Sequence, residues 1–367
     1  MIHNNLVSTP AVANVQPVNH PTQPRLLKLA LDVHLAQHVV AMQYDGSSPK
    51  PPQRFTPPGL LVWVRKQLAQ GWQIHSCYEA GPFGYGLHRQ LTALGVTNYV
   101  IRPGNWDDDQ RRIKTDRTDA LSMLNALDRF VAGNTKALAL VHVPTPDQER
   151  RRTQTRLRQS LVRDLKMIAG RGRGVALQYG WRLKGDWFGR RSWPRWQKQL
   201  PPWLIELLLP LRNSALFLHD QIHSLSTQIQ SLSTGPLPKG MGPLTQQVLD
   251  REATDWHRFK NRRQISSYLG LCPSQNSSGQ RQHSGSVTKC GNPRLRWVLV
   301  EMAWRLVRFQ PDYWRVRKWK NRWLDIRLTP GRRKQALVAL ARGFGVDWWR
   351  IQTGQTTLDK LGLIQGD

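Results

Sequence analysis

LLKLALDVH (residues 26–34) and HVVAMQY (residues 38–44) are two apolar runs separated by a short polar break, and together they predict a β-hairpin. The next segments predict, in order, a strand QRFT (53–56), a helix PPGLLVWVRKQLAQG (57–71), a strand QIHSCYEA (73–80), a helix FGYGLHRQLTALG (83–95), a strand TNYVIRP (97–103) and a helix KTDRTDALSMLNALDRF (114–130). Strands that alternate with helices imply an α/β layer fold with parallel pairings, and the opening hairpin makes the sheet mixed. This is the element order of the ribonuclease H-like fold.

The composition predicts a polyanionic partner. Lys and Arg number 54 against 24 Asp and Glu, which gives a formal net charge of +30. Nucleic acid is the favoured partner, because side chains that neutralise phosphates release bound counterions. A basic structural or ribosomal-type protein is the alternative, and the 16 tryptophans and the predicted α/β region argue against it.

Cysteines and apolar runs indicate the compartment. Cys77, Cys272 and Cys290 have no paired spacing, which argues against a disulfide scaffold or a zinc site and fits a reducing cytoplasm. No apolar run approaches the length of a membrane span, and the polar residues 1–24 lack the apolar centre of a signal peptide. We therefore expect a soluble, cytoplasmic protein that begins with a disordered leader.

The rest of the chain predicts three further segments after an α/β domain at 25–147: a basic helical region (148–235), a mostly helical domain with a serine-rich loop (236–350) and a tail (351–367). Apolar residues in the basic region recur at heptad spacing: Leu211, Ala215, Leu218, Ile222, Leu225, Ile229 and Leu232. This spacing predicts a helical hairpin or coiled-coil arm, either packed within the chain or used to dimerise. Residues 170–199 interleave Trp with Arg, which suits either RNA contact or a packed Trp-rich subdomain.

Four acidic residues fall where the predicted fold gathers side chains at one end of its sheet. Asp32 lies at the middle or end of the first strand, Glu79 ends the fourth, and Asp116 and Asp119 lie one turn apart at the start of the last helix. Clustered carboxylates need cations, and hard oxygen ligands select Mg²⁺ or Mn²⁺, two of which can assist phosphoryl transfer. The alternative is structural: Asp116 as a helix N-cap, Asp119 as a first-turn acid and Asp32 in a turn.

The serine-rich loop is the second candidate site. NSSGQ carries Ser277 and Ser278 before a glycine that lets a phosphate backbone approach closely. A serine that attacks phosphorus needs nearby positive charge, which four basic residues could supply: Arg281, Lys289, Arg294 and Arg296. Taken alone the pattern is weak, since most Ser-Gly pairs form ordinary turns.

Two groups of motifs together resemble a known family. They are ALDVH (30–34), YEAGPFGYGLHRQLTALGV (78–96) and KTDRTDA (114–120), followed by KGMGPLTQQVL (239–249), RFKNRRQISSYLGLCPSQNSSGQ (258–280) and SVTKCGNPRLR (286–296). In this order and separation they resemble the DEDD transposases of bacterial insertion sequences, of group one-hundred-and-ten and its sister group, over residues 25–345.

The resemblance implies a fold, a site and a mechanism. It implies a RuvC-like ribonuclease H domain with Asp32, Glu79, Asp116 and Asp119 holding Mg²⁺, a helical or coiled-coil linker arm and a mostly helical C-terminal transposase domain. Ser278 would be the nucleophile that forms a covalent phosphoserine link to DNA, with Ser277 as the alternative. It also implies an active site shared between subunits of a homo-oligomer, dimer or tetramer, and a structured guide RNA that chooses the DNA by base pairing.

We therefore predict a bacterial, nucleoid-associated DNA transposase or recombinase. The residues predicted to contact nucleic acid are Lys114, Arg117, Arg281, Lys289, Arg294, Arg296, Arg315, Arg317, Lys318 and Lys320, although the last six could form an ordinary solvated helix face. Two alternatives remain. A metal-only nuclease of the Holliday-junction resolvase kind would need the acidic tetrad without Ser278, and a nucleic-acid-binding protein with a decayed site would need neither.

Overall fold

The computed structural model describes residues 25–104, 115–278, 281–318 and 329–366. The chain divides into two compact units, Met1–Val143 and Pro144–Asp367. Lys114, Lys320 and the glycine after Ser278 lie outside the described residues. Among the helices within those ranges, none is both long enough and apolar enough to cross a membrane.

The first unit is a mixed five-stranded sheet with helices. Its elements are β1 (Leu26–Asp32), β2 (His38–Tyr44), β3 (Lys50–Phe55), α1 (Pro57–Ala69), β4 (Gln73–Glu79), α2 (Gly86–Ala93), β5 (Thr97–Ile101) and α3 (Asp116–Val131). The strand order is β3-β2-β1-β4-β5, with β2 antiparallel to both neighbours and β1, β4 and β5 parallel. The predicted order of three strands, helix, strand, helix, strand and helix is confirmed.

Period-two alternation along β1 decides how the sheet is covered. Leu27, Leu29 and Leu31 face one apolar cluster, whereas Ala30 faces a second cluster that contains the apolar side of α3. Ala30 lies beside Ala41 of β2 and Cys77 of β4 in the strand register. Three small side chains in a row let α3 lie close to the centre of the sheet, and this places the N-terminus of α3 near the carboxyl ends of the strands.

The second unit begins with a helical hairpin. Its long helices are α4 (Pro146–Gln178) and α6 (Pro202–Gln230), with the short α5 (Trp193–Gln197) between them. Arg158 near the start of α4 binds Ser226 near the end of α6, and Tyr179 after α4 packs on Trp203 at the start of α6, so the two helices run antiparallel. The heptad stripe thus packs within the chain as a hairpin, except that Leu232 lies beyond α6 and is half exposed.

The Trp/Arg-rich segment packs as an apolar subdomain. Trp187 and Trp193 are buried against α4 and α6, and the Trp187 indole donates a hydrogen bond to the Ala169 carbonyl at 3.0 Å. A Cβ on Gly172 would lie 2.1 Å from a Trp187 ring carbon, so the helix has no side chain where the indole crosses it. Of the two interpretations of residues 170–199, the packed subdomain is confirmed for these two tryptophans.

The remaining elements form one large apolar core. They are α7 (Pro243–Ala253), α8 (Arg262–Leu269), β6 (Pro273–Ser278), β7 (Arg281–Val287), α9 (Pro293–Phe309) and α10 (Pro330–Gln352). Helices α7 to α10 contribute to a single cluster that includes Leu249, Leu299 and Phe344. The prediction of a serine-rich loop was wrong in one respect: Pro273–Ser278 and Arg281–Val287 pair as two antiparallel strands.

Candidate metal centre and serine hairpin

Two of the predicted carboxylates lie at the same edge of the sheet. Asp32 is the last residue of β1 and Glu79 the last of β4, and the parallel register pairs Leu31 with Tyr78, the residues just before them. Both acids line a pocket of about 160 Å³, together with residues 81–84 and the Met123 side chain of α3. One Glu79 carboxylate oxygen accepts a hydrogen bond from the Gly104 amide at 3.2 Å.

The other two carboxylates are brought in by the capping of α3. The Thr115 side chain accepts from the Thr118 amide, and the Thr118 hydroxyl accepts from the Thr115 amide, so the two residues form a reciprocal capping box. Thr115 is therefore the N-cap, and the structural alternative that gave this position to Asp116 was wrong. Asp116 and Asp119 both lie in the first turn, where the helix dipole favours negative charge.

His34 joins this cluster, and the sequence did not point to it. Its Nε2 atom lies 3.0 Å from Oδ2 of Asp32 and 3.7 Å from Oδ2 of Asp116. One donor atom from each of the three residues lies within 4.8 Å of the other two. The available signal was a histidine two residues beyond an aspartate that ends a strand, but this spacing is not a recognised metal-ligand pattern.

The electrostatics of Asp32 reflect this crowding. Burial raises the pKa of the Asp32 carboxyl, and the hydrogen bond and charge of His34 oppose that shift. The charges of Asp116 and Asp119 raise the pKa further, and the net direction is upward. The ionised form of Asp32 is therefore disfavoured, and a bound cation would relieve the cost.

The donor set fits a small divalent cation. Octahedral coordination with bonds of about 2.1 Å places neighbouring donors about 3.0 Å apart and opposite donors about 4.2 Å apart. The separations of 3.0 and 3.7 Å from the His34 nitrogen to the two carboxylate oxygens lie within or near that range. Asp32 and Asp116 could hold Mg²⁺ or Mn²⁺, with Glu79 and Asp119 alongside, and the imidazole would suit Mn²⁺ better than Mg²⁺.

The serine pair lies at the tip of the hairpin formed by β6 and β7. Ser278 ends β6 and pairs with Arg281, the first residue of β7, while Ser277 pairs with Gln282. The structure describes the backbone of this tip, and the side chains of these four residues lie outside the described part. Ser278 therefore lies at the end of a two-stranded ribbon.

The predicted phosphate-binding residues fall into three groups. Arg117, Lys289, Arg317 and Lys318 are exposed. Arg294, Arg296 and Arg315 are engaged by neighbouring groups, whereas the side chains of Lys114, Arg281 and Lys320 lie outside the described part of the chain. Arg296 donates to the carbonyls of Leu269 and Lys289, and Arg294 donates to the Gln159 side chain at 3.0 Å.

Arg315 is the most firmly held of these residues. Its guanidinium donates two hydrogen bonds to the Asp347 carboxylate, at 2.7 and 2.9 Å. Asp347 is fully buried and also accepts from the Tyr313 hydroxyl and the Trp314 indole. Since both oxygens of this carboxylate are used within the fold, Arg315 stabilises the packing of α10 against the preceding segment.

A second buried carboxylate, Glu252 of α7, links α4 to the start of α9. It is fully buried, accepts two hydrogen bonds from the Arg156 guanidinium at 2.8 Å, and accepts a third from the Asn292 amide at 2.8 Å. Burial alone would raise the pKa of the Glu252 carboxyl, but the hydrogen bonds from Arg156 and Asn292 outweigh it, so the pKa is lowered. Asn292 also caps α9, which fixes the helix that follows the serine hairpin.

Comparison with known proteins identifies relatives over most of the chain. Residues 238–317, which include the serine hairpin and α9, match the family model described as the transposase IS116/IS110/IS902 family. A Sinorhizobium fredii protein named as a transposase (y4rJ) is 31% identical over 305 residues, which cover 74% of this chain and 75% of that protein. The transposase for insertion sequence element IS1111A of Coxiella burnetii is 24% identical over 288 residues, covering 74% of this chain and 75% of the relative.

Proposed function

The chain belongs to the IS116/IS110/IS902 family of insertion-sequence transposases, and from this premise we propose that it cuts and rejoins DNA through a serine and a metal-holding acidic cluster. The observation that carries the proposal is the convergence of Asp32 and Asp116 around one histidine nitrogen. These acids come from a strand and from a helix that are 84 positions apart in sequence. Only the fold brings them together, as a divalent-cation site requires.

The first unit supplies the metal chemistry in this proposal. The strand order β3-β2-β1-β4-β5 and the position of α3 support a ribonuclease H-like, RuvC-like assignment. Asp32, Glu79, Asp116 and Asp119 would hold Mg²⁺ or Mn²⁺, which stabilises the charge that develops during phosphoryl transfer. With a metal bound, the His34 Nε2 atom would join Asp32 and Asp116 as a ligand, in place of its hydrogen bond to Asp32.

The serine hairpin supplies the nucleophile. The Ser278 oxygen would attack a DNA phosphorus: a serine–phosphorus bond forms, one bridging phosphorus–oxygen bond breaks, and the released DNA end takes the proton as a hydroxyl. A DNA hydroxyl that attacks the phosphoserine restores the serine and joins the new strands. The support is the position of Ser278 at the hairpin tip, the exposed Lys289 nearby in sequence and the match of this region to the family model.

The partners in this proposal are nucleic acids. The net charge of +30 suits the binding of both DNA and a guide RNA encoded beside the gene. Arg117, Lys289, Arg317 and Lys318 are the exposed cations that we assign to phosphate contacts, whereas Arg315 is assigned to the fold. Assembly of a homo-oligomer is also part of the proposal.

The proposal is tested with purified protein, Mg²⁺, end-labelled DNA that carries the element ends, and RNA transcribed from the flanking non-coding region. Denaturing gels then separate free DNA, cleaved DNA and DNA joined to protein. Ser278→Ala and Asp116→Asn should each abolish the protein–DNA adduct. Ser277→Ala is the matched serine control, and Glu206→Gln, at an exposed position on α6, is the matched acidic control.

Other patterns on the gel would favour a different nucleophile or a different function. Cleavage without an adduct, kept by Ser278→Ala and lost by Asp116→Asn, would favour a metal-only nuclease. An adduct lost in Ser277→Ala and kept in Ser278→Ala would move the nucleophile by one residue. Tight DNA binding without any reaction in the wild type, with and without the RNA, would favour a decayed binding protein.

A further inference from the structure

Helix α9 carries two tryptophans that the fold leaves exposed. Trp297 and Trp304 are 56% and 54% exposed, whereas the buried Trp187 and Trp348 are 0% and 1% exposed. The two exposed residues are seven positions apart, which is close to two helical turns, so their indoles lie on one face about 10 Å apart along the axis. Two large apolar rings on one exposed face are an unusual feature and mark a surface that binds a partner.

The rest of this face is positively charged. The helical period places Arg305 and Arg308 on the same side as the tryptophans, together with Glu301. Helix α9 as a whole carries four arginines against this one acid. Its opposite side is buried in the large core, so packing fixes the orientation of the exposed face.

The charges decide which partner fits this face. Positions 297, 301, 304 and 308 have the four-three-four spacing of a coiled-coil seam, but a seam needs apolar residues where Glu301 and Arg308 lie. Indole rings beside guanidinium groups are instead the combination that binds single-stranded nucleic acid: the rings stack on bases and the cations meet phosphates.

We propose that Trp297 and Trp304 stack on unpaired bases of a nucleic acid whose phosphates are met by Arg305 and Arg308. The proposal rests on the proposed function, because strand exchange guided by RNA exposes unpaired nucleotides. The separation of about 10 Å corresponds to about three stacked-base steps of 3.4 Å. In a duplex the base faces are covered by their neighbours, so this surface distinguishes unpaired strands from paired ones.

Binding is measured on the full chain by fluorescence anisotropy with a labelled oligothymidine, in EDTA so that no cleavage occurs. Trp297→Ala and Trp304→Ala should each weaken binding by about 5- to 150-fold, the range for losing one stacked base. Trp297→Phe and Trp304→Phe should retain most of the affinity. Trp203→Ala is the matched control, because Trp203 is 46% exposed on α6, away from this face. Thermal melting checks that each variant is folded.

Two further ligands separate stacking from other contacts. A strand of equal length with abasic sites keeps its phosphates, so the wild type and both alanine variants should bind it equally. The affinity for a duplex of equal length should change little with either alanine substitution. Arg308→Ala should weaken binding of the normal and the abasic strand alike and should reduce the salt dependence.

Several results would overturn or change the stacking proposal. Wild-type protein that does not bind oligothymidine, or alanine variants that bind it like Trp203→Ala, would overturn the proposal. Equal losses on the normal and the abasic strand would overturn stacking, and equal losses on the duplex would replace it with a groove contact. A change in oligomeric mass in the alanine variants would make this face a protein interface. Loss of oligothymidine binding in these variants, in a protein with no recombination activity, would uphold this proposal while the proposed function fails.

Discussion

Glu252→Gln should destabilise the second unit strongly, because it removes the charge from a fully buried side chain that binds the guanidinium of Arg156. The wild-type carboxylate accepts two hydrogen bonds from Arg156 and one from Asn292, each at 2.8 Å. A carboxamide of the same shape has one acceptor oxygen, and its amino group faces a donor. At least one of the three hydrogen bonds is therefore lost, and the guanidinium loses its counter-charge.

The size of the destabilisation follows from the burial of the Glu252–Arg156 ion pair. Breaking a buried ion pair costs about 3–5 kcal/mol, and the lower end applies here because the side chain of Arg156 is 37% exposed and regains water. A loss of about 3 kcal/mol in the free energy of unfolding corresponds to a drop of about 6–12 °C in melting temperature for a unit of this size. Glu301→Gln, at an exposed position on α9, should change the melting temperature by less than about 2 °C.

The pH dependence gives a second, independent readout. The folded-state pKa of Glu252 is below its ordinary value of 4.5, so the unfolded chain binds this proton more readily than the folded chain does. The stability that Glu252 contributes is therefore fully present above pH 4.5 and is lost as the pH falls through the folded-state pKa. Wild type and Glu252→Gln should differ in calorimetry at pH 7 and converge in acid. A difference below 1 kcal/mol at pH 7, or one unchanged in acid, would refute the reasoning.

Three further predictions concern other sites. Gly172→Ala places a Cβ 2.1 Å from the buried Trp187 ring and should lower the free energy of unfolding by about 1–3 kcal/mol, measured by urea titration. Gly174→Ala is the control, because a Cβ there meets open space and should not lower the stability. Equal urea midpoints for the two variants would contradict this prediction. Burial raises the pKa of the Cys77 thiol, so Ellman's reagent should label the other two cysteines first, and equally fast labelling of all three would contradict this. The raised pKa of Asp32 means that its contribution to stability falls as the pH rises through that pKa. Asp32→Asn should therefore melt at a higher temperature than wild type at pH 7 in EDTA. Mn²⁺ at 100 times its dissociation constant should stabilise the wild type by about 2.7 kcal/mol, and Asp32→Asn should lose this stabilisation. An unchanged response to Mn²⁺ would exclude Asp32 as a ligand.

The sequence predicted the first unit well because local patterns agree with the tertiary fold there. In β1, three leucines alternate with Lys28 and Ala30, and helices α1 and α3 begin at recognisable caps, Thr56 and Thr115. The same patterns placed Asp32 and Glu79 at strand ends, which the structure brings to one edge. The prediction of a metal site remains a prediction, and the geometry around Asp116 supports it.

Other features depend on contacts between distant residues and left no local signal. His34 reaches the acidic cluster only because β1 ends beside the N-terminus of α3. The composition of the serine stretch predicted a loop because Ser, Asn and Gly disfavour strands, yet Pro273–Ser278 and Arg281–Val287 pair as antiparallel strands. Arg315 looked like an exposed cation in a basic run, and only the fold shows that it binds a buried carboxylate.

Four acidic residues of this basic chain form two pairs with different partners, and the difference supports the proposed site. Glu252 and Asp347 are fully buried and each binds the guanidinium of an arginine, so their charge is balanced within the fold. Asp32 and Asp116 instead face each other across a histidine, in a chain that has 54 basic side chains to offer. If Asp32 and Asp116 were structural, an arginine in place of His34 would stabilise them better. An imidazole leaves room for a metal ion, so this cluster is better suited to binding a cation than to holding the fold together.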